Sequence, residues 1–407
     1  MDQTPQSRFD WQVAGLFVFN LLVGFLLIGA SLASALFVIL GGALNEVPVS
    51  EDQLISSLLF SAGLGFAGIL VFPAVFYSGR RLLGYPPRSV KSTSGGNWLI
   101  LFLPTIIILG YLSQTGPTWS KYTLTIFHIL ANGLGILWLL NIVGRKLSQG
   151  SALRYWSSFG GGLVLAPMIA FVVEILLLVL LGLIWWIFIQ SQPELKQDLF
   201  NMINRMQQST LTPEIIERFT NSLLEQPGLI GTGFIYIAVL IPFVEELIKP
   251  AVIWLMLGRN PSPRVGFLMG AAAGAGYALF ENLTIGADIQ VWTFVTITRL
   301  GTAAVHILTT GIVGWGIASA WTEKKYFRLI WSLFASITFH GVWNGLNVLA
   351  ALSGFPEIQN KVGSFGVLFA SYAPAGLLIL ALGALGGLIR INSYYQRAII
   401  PQSNQEK

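Results

Sequence analysis

Ten long apolar stretches, separated by short polar segments, dominate the hydrophobic pattern of this chain. A helix needs about 20 apolar residues to cross the hydrocarbon core of a bilayer. Each stretch is continuous rather than alternating, so the pattern predicts helices and not the strands of a β-barrel. The predicted fold is therefore all-α, a polytopic membrane protein with about ten transmembrane helices. The predicted spans lie near residues 12–42, 54–79, 97–116, 124–144, 158–191, 228–258, 265–286, 291–321, 329–354 and 365–390.

The only long segment on the predicted outer side is 192–227. Within it, Thr212, Pro213 and Glu214 have the order of an N-cap, a first-turn proline and an acidic first turn. Apolar residues then recur at helical spacing from Ile215 to Leu224. The pattern predicts a short amphipathic helix on the outer membrane interface, with a lid or substrate-gripping element as the alternative.

The composition agrees with a membrane protein, because 54% of the residues are hydrophobic and only 10% are charged. Soluble chains carry roughly 25% charged residues. The chain has no cysteine, which excludes disulfides, thiolate nucleophiles, Cys-ligated zinc and Fe–S clusters. The net charge of +5 fits the Lys and Arg bias of cytoplasmic loops. We therefore expect a lipid bilayer and no nucleic acid as partner.

The distribution of basic residues predicts the orientation. Of the 23 Lys and Arg residues, 16 fall on the side that holds both termini, five on the other side and two inside spans. This asymmetry predicts that both termini are cytoplasmic, and it requires an even number of spans. The polar N-terminus and the long first apolar run predict no cleaved signal peptide. With no targeting segment, we expect a bacterial inner (plasma) membrane.

Ionisable residues inside spans cost about 2.5–3.5 kcal/mol each on insertion scales, so they mark a functional site or a structural pair. They are concentrated in spans six to nine. Counted from the flanking basic residues at about 1.5 Å per residue, the glutamates and histidines lie about 18–27 Å from the cytoplasmic edge. We expect them to meet in one layer near the middle of the membrane. The residues in these four spans are Glu245, Glu246, Lys249, Glu281, Arg299, His306 and His340.

Local spacing refines this prediction. Glu245 and Lys249 are an i,i+4 pair in the favourable order. His340 and Asn344 share a helix face, and the amide beside the imidazole can stabilise an oxyanion. Span seven also contains a ridge of small residues that would allow close helix packing. Its members are Gly266, Gly270 and Gly274.

These residue types are suited to peptide-bond hydrolysis in either of two ways. Glutamate and two histidines can ligate a catalytic zinc with water as fourth ligand. A metal-free site would use a glutamate to activate water, with histidine and asparagine stabilising the tetrahedral intermediate. Other protease chemistries lack their parts, because there is no HExxH motif, no GxSG motif and no aspartate within a span.

Short motifs follow one another on spans six to nine. Span six carries an EExxK motif, Glu245 to Lys249, and span seven ends in an FEN motif, Phe280 to Asn282. Span eight carries Arg299 and His306, and span nine carries an HxxxN motif, His340 to Asn344. This order of motifs resembles the PrsW family of intramembrane proteases, which is related to the CAAX-type and bacteriocin-processing proteases. The resemblance covers roughly residues 228–350.

The resemblance implies an endopeptidase that cuts membrane-anchored proteins, in some members anti-sigma factors. It implies the catalytic residues Glu245, Glu246, Glu281, His306, His340 and Asn344, supported by Lys249 and Arg299. If a metal is bound, zinc is the expected ion, and the candidate ligands are Glu246, Glu281, His306 and His340. We favour Glu245 over Glu246 as the water-activating group because Glu245 shares a helix face with Lys249.

The predicted domain organisation has four parts. Residues 1–157 form an N-terminal accessory bundle of four spans, and 158–227 contain the fifth span and the external segment. Residues 228–354 form the protease-like core, and 355–407 contain the last span and a cytoplasmic tail. Five spans before the motifs exceed a minimal member of the family, and we expect them to bind substrate or a partner.

Two other classes stay open at this point. A secondary transporter also uses buried carboxylates and histidines, but transporters usually have two related halves, and here the polar residues crowd one half. A non-catalytic membrane scaffold of the same fold is the other alternative. Lys249 can equally be a structural partner that only neutralises Glu245.

Overall fold

The computed structural model describes residues 10–43, 50–91, 98–208, 212, 215, 222, 226–255, 261–352 and 356–403. Nearly all of these residues are helical. The elements are α1 (Trp11–Ala43), α2 (Glu51–Leu82), β1 (Ser89–Lys91), α3 (Leu99–Thr115), α4 (Thr118–Lys121), α5 (Leu124–Gly144), β2 (Ser148–Ser151), α6 (Ala152–Gly160), α7 (Ala166–Gln190), α8 (Pro193–Gln207), α9 (Pro227–Ile235), α10 (Ile241–Ile248), α11 (Ala251–Leu255), α12 (Pro263–Ile285), α13 (Trp292–Glu323), α14 (Tyr326–Leu352) and α15 (Pro356–Ser403). Two π-helical turns, Gly161–Leu165 and Tyr236–Leu240, join α6 to α7 and α9 to α10.

The predicted all-α membrane fold is confirmed. Among the described residues, seven helical segments are long and apolar enough to cross a membrane. They correspond to the predicted spans one, two, four, five, six, eight and ten. The other three predicted spans are also helical, as α3, α12 and α14, but they are shorter or more polar. The count of ten crossings and the side of each terminus stay predictions.

One pair of short strands departs from the helical pattern. β1 and β2 pair antiparallel, with Ser89 opposite Ser151 and Lys91 opposite Ser148. Both strands belong to loops with dense basic residues that the sequence assigns to the cytoplasmic side. The backbone N–H of Ala152 also donates to the carbonyl of Arg88 at 2.7 Å, so the loop after α2 is fixed to the start of α6.

The chain divides into two compact units. The first contains residues 1–167, 246–336 and 380–407, and the second contains residues 168–245 and 337–379. The division falls between the neighbouring glutamates Glu245 and Glu246.

Glycines bring three segments of the first unit into backbone contact. A Cβ at Gly266, Gly270 or Gly274 would collide with carbonyl oxygens of α13, which confirms the predicted ridge of small residues. On another side of α12, a Cβ at Gly276 would collide with the carbonyl oxygen of Phe159. α12 therefore packs between α13 and the α6 segment, and these positions leave no space for a side chain larger than that of glycine.

A buried histidine joins α5 to α12 and α13 of the first unit. Nε2 of His128 lies 3.1 Å from the carbonyl oxygen of Leu283, and the indole N–H of Trp292 donates to Nδ1 at 3.1 Å. The bond from the indole leaves Nδ1 as acceptor, so Nε2 carries the proton and donates to Leu283. His128 therefore has a structural role, as a hydrogen-bonded group between α5, α12 and α13.

In the second unit, α8 begins with Pro193 at its first turn and Glu194 just behind it, as expected for a helix start. Ser222 donates a hydrogen bond of 2.9 Å to the Asp198 carboxylate of α8. The predicted amphipathic helix from Thr212 to Leu224 lies mostly outside the described residues.

Candidate active site

A buried lysine organises the polar cluster of the first unit. Nζ of Lys249 donates to Glu246 Oε1 at 2.9 Å and lies 2.7 Å from Nδ1 of His306. The same nitrogen lies 4.7 Å from the ring centroid of Tyr277, a cation–π distance. Thr309 donates a second hydrogen bond to Glu246 Oε1 at 3.1 Å. The motif lysine is therefore ion-paired with Glu246, three residues before it.

The other side of His306 faces a second carboxylate. Nε2 of His306 lies 2.9 Å from Oε2 of Glu281, and Arg299 donates to the same oxygen at 3.1 Å. The side chain of His306 is 1% exposed, whereas those of Glu281 and Arg299 are 17% and 14% exposed. Arg299 and His306, seven residues apart on α13, therefore share a helix face and bond one carboxylate oxygen.

These contacts determine the tautomer of His306. An ammonium group can only donate, so Nδ1 accepts from Lys249 and the ring proton resides on Nε2. Nε2–H then donates to Glu281. Two carboxylates, one ammonium and one guanidinium surround a neutral imidazole, so the charges of the cluster balance.

The second unit contains a separate carboxylate–histidine pair. Nε2 of His340 lies 3.8 Å from Oε2 of Glu245, and both side chains are buried. This separation exceeds a direct hydrogen bond and suits a shared water. Two ligands of one zinc ion at a tetrahedral angle are about 3.4 Å apart, so the pair also has the right types and nearly the right spacing for a metal.

Asn344, one turn after His340, contacts an irregular turn that precedes Glu245. Its Nδ2 donates to the carbonyl of Ile237 at 3.2 Å, inside the π-helical turn Tyr236–Leu240. In that turn the N–H of Ile241 bonds to the carbonyl of Tyr236, five residues back. The next donor in this register would be Pro242, which has no N–H. The amide of Asn344 therefore supplies the donor that the Ile237 carbonyl would otherwise lack.

Glycines allow this contact. A Cβ at Gly341 would collide with the carbonyl oxygen of Ala238, and one at Gly345 would approach the ring of Phe234 to 3.2 Å. The face of α14 that carries His340 and Asn344 therefore packs closely on the segment that leads to Glu245. Sequence reasoning placed His340 and Asn344 on one face but did not identify the glycines beside them.

The predicted site residues thus fall into two groups. Glu246, Lys249, Glu281, Arg299 and His306 contact one another in the first unit. Glu245, His340 and Asn344 lie together in the second unit.

Sequence reasoning missed two members of the first group. Tyr277 lies one turn before Glu281, and Thr309 lies three residues after His306, so helical spacing was the available signal. The ring of Tyr277 faces the Lys249 ammonium and lies edge-on to His306.

The side chains present suit a metal as well as metal-free hydrolysis. Carboxylates and neutral imidazoles are ordinary zinc ligands, and each unit has one such pair, Glu245 with His340 and Glu281 with His306. Both nitrogens of His306 already bond Lys249 and Glu281, so this ring could ligate a metal only after one of these bonds is broken.

Comparison with known proteins gives a family match. The model of the PrsW family intramembrane metalloprotease matches residues 207–374, a range that includes all three motifs. No curated protein and no solved structure matches the chain. Residues 207–374, with their buried glutamates and histidines on apolar helices, therefore carry a PrsW-type intramembrane protease domain, and this domain makes the chain a peptidase.

Proposed function

We propose that this protein hydrolyses a peptide bond in or beside the membrane segment of a membrane-anchored protein substrate. The observation that carries the proposal is the buried pair Glu245 and His340, separated by 3.8 Å, within the segment that matches the protease family. A carboxylate and an imidazole at this distance can hold one water molecule between them. Such a water is the nucleophile that peptide hydrolysis requires.

We assign the role of general base to Glu245. Glu246 Oε1 accepts hydrogen bonds from Lys249 and Thr309, which fix the position of that carboxylate. Glu245 of the EExxK motif lies 3.8 Å from Nε2 of His340. A general base must lie within hydrogen-bond reach of the proton that it removes, directly or through one water molecule, so geometry is the first criterion for assigning it. His340 then orients the water and stabilises the charge that develops on the substrate carbonyl.

The cluster around Lys249 supports this chemistry electrostatically. Its ammonium and the Arg299 guanidinium balance Glu246 and Glu281, so the buried charges are paired rather than isolated. His306 is kept neutral with its proton on Nε2, from which it can donate to an oxyanion when Glu281 is displaced. We propose that Glu281 and Arg299 set the orientation of His306.

A metal fits the donor set. We propose that Glu245 and His340 of the second unit supply ligands, in preference to the ion-paired Glu246. A bound zinc would supply Lewis acidity and lower the pKa of a water molecule. In either mechanism we assign proton transfer to Glu245 and orientation of the water to His340. The cluster around Lys249 balances the buried charge.

The test uses the full chain in proteoliposomes with a single-pass membrane reporter protein. We expect wild type to cleave the reporter, Glu245→Gln to lose cleavage, and Glu246→Gln to lose thermal stability as well as activity. Metal content is measured on the same samples, with and without chelator. Stoichiometric zinc that is lost in His340→Ala supports the metal mechanism, whereas activity that survives chelation supports the metal-free one. Full cleavage by Glu245→Gln would overturn our assignment of the base.

We also propose ten membrane crossings with both termini in the cytoplasm of a bacterial inner membrane. Helices at all ten predicted positions and the basic-residue asymmetry support this topology. The chain has no cysteine, so single cysteines can report sidedness without background. A membrane-impermeant thiol reagent applied to intact cells should label Ser191→Cys and not Ser148→Cys. The reverse result would contradict the proposed orientation.

A further inference from the structure

Four arginines line one small cavity in the first unit, outside the catalytic cluster. Arg80 and Arg81 end α2, Arg88 lies on the following loop, and Arg154 lies in the first turn of α6. The cavity measures about 220 Å³. No carboxylate is among the lining residues that the structure describes. We call this site the arginine cavity.

The local backbone holds the arginine cavity in shape. Gly84, with φ +81°, allows the tight turn after α2, and two prolines, Pro86 and Pro87, stiffen the loop. The pairing of Ser89 with Ser151 then fixes this loop to the start of α6. The arginines are therefore brought together by hydrogen-bonded backbone and not by chance side-chain positions.

The electrostatics of the arginine cavity favour an anion. Guanidinium groups remain charged at any physiological pH, so Arg80, Arg81 and Arg88 together create a positive potential that attracts a negative group. Ser151, the N-cap of α6, lines the cavity, and the positive end of that helix dipole adds to the attraction. The Arg80 guanidinium lies 4.7 Å from the ring centroid of Tyr85, a cation–π contact that orients it.

We propose that the arginine cavity binds the phosphate of an anionic phospholipid headgroup. Arginine forks match phosphate oxygens in bidentate geometry. Beside the arginines, the side chains of Leu83 and Tyr85 are 76% and 50% exposed, as suits residues at the level of lipid headgroups and not in water. The basic-residue count assigns this end of α2 to the cytoplasmic side, where basic pockets between helices bind acidic lipids.

A second basic cavity of the first unit provides a contrast. It measures about 1090 Å³, and its lining includes Lys325, Arg328 and Glu323. Glu323 lies 2.9 Å from Lys325 and 2.8 Å from Arg328, so these two basic groups already share a carboxylate. Their replacement removes the same charge from the protein as replacement of two arginines of the arginine cavity.

The experiment measures lipid retention by native mass spectrometry of the full chain. Protein is released from nanodiscs that contain phosphatidylglycerol and phosphatidylcholine. We expect wild type to retain phosphatidylglycerol selectively, and Arg81→Gln/Arg88→Gln to bind it at least about tenfold more weakly, since two charge-assisted bonds are lost. The control Lys325→Gln/Arg328→Gln should retain wild-type binding. The exposed single variant Arg88→Gln repeats the measurement with less risk to folding.

Two results would overturn the proposal. Equal loss of lipid in the variant and in the charge-matched control would mean that surface charge alone attracts the lipid. Binding of inorganic phosphate at the cavity that phosphatidylglycerol does not displace would mean that the ligand is a soluble phosphate. Neither result depends on peptidase activity, so the proposal stands or falls separately from the proposed function.

Discussion

Nζ of Lys249 lies 2.7 Å from Nδ1 of His306, and both residues are 1% exposed. Because the ammonium can only donate, this bond places the ring proton of His306 on Nε2, where it meets Glu281. The lysine of the EExxK motif thus acts on a histidine of another helix, in addition to its ion pair with Glu246. This relationship gives the motif lysine a role that its sequence spacing alone does not reveal.

Replacement of Lys249 by methionine should destabilise the protein strongly. The substitution leaves Glu246 as a buried carboxylate without its ion-pair partner, a change that typically costs about 3–5 kcal/mol. The double variant Lys249→Met/Glu246→Gln removes both charges and should recover part of this loss. Thermal unfolding in detergent measures both. A double variant as unstable as the sum of the two single variants would show that the pair is not coupled.

Asn344→Ala should act mainly through the turn before Glu245. Loss of the amide leaves the Ile237 carbonyl without its side-chain donor, and the net contribution of one such hydrogen bond is about 0.5–1.5 kcal/mol. Pro242→Ala restores a backbone N–H in the same turn, so the double variant should regain stability and activity. If Asn344 serves as an oxyanion donor, kcat should fall about 10²–10³-fold with normal stability, and Pro242→Ala should restore nothing.

Gly270→Ala should perturb the cluster around Lys249 indirectly, through the packing of α12 on α13. The new methyl group collides with the carbonyl of Thr310, next to the threonine that donates to Glu246. Overpacking of this kind costs about 1–3 kcal/mol. Gly182→Ala is the matched control, since no atom lies within 4 Å of its added Cβ and alanine favours the helix. Equal unfolding temperatures of the two variants would contradict close α12–α13 packing.

His128→Ala should destabilise the first unit without touching the catalytic residues. The substitution leaves the Trp292 indole N–H and the Leu283 carbonyl without their hydrogen-bond partner. Each unsatisfied buried group lowers the free energy of unfolding by about 1–3 kcal/mol. His128→Gln retains one donor and one acceptor and should be milder. Unfolding temperatures of the two variants provide the measurement, and an unchanged value for His128→Ala would exclude the structural role.

The sequence predicted the helical positions well and made the ionisable residues within spans conspicuous, because both depend on local patterns. Apolar run length reports membrane helices, and buried charge is so costly that Glu281 or His306 within a span is conspicuous. The partner of Lys249 was less predictable. Both Glu245 and Glu246 lie within reach of a lysine one turn later. Which of the two carboxylates pairs with Lys249 depends on side-chain packing around α10, which local spacing does not report.

The π-helical turn before Glu245 could not be predicted from periodicity. Pro242 indicates an interruption, but either a kink or a wider turn relieves the missing N–H. The choice depends on Asn344, which is 102 positions later in the chain, and on the close approach that Gly341 permits. Such long-range contacts have no local signal.

The close backbone contact between Gly276 and Phe159 has a practical consequence for dissecting this enzyme. The segment that matches the family model, 207–374, does not contain Phe159 or the helix around it. A fragment cut at those borders would expose one side of the helix that carries Glu281. The matched segment is therefore shorter than the length of chain that packs around α12, and a protease fragment needs the α6 segment to keep this helix covered.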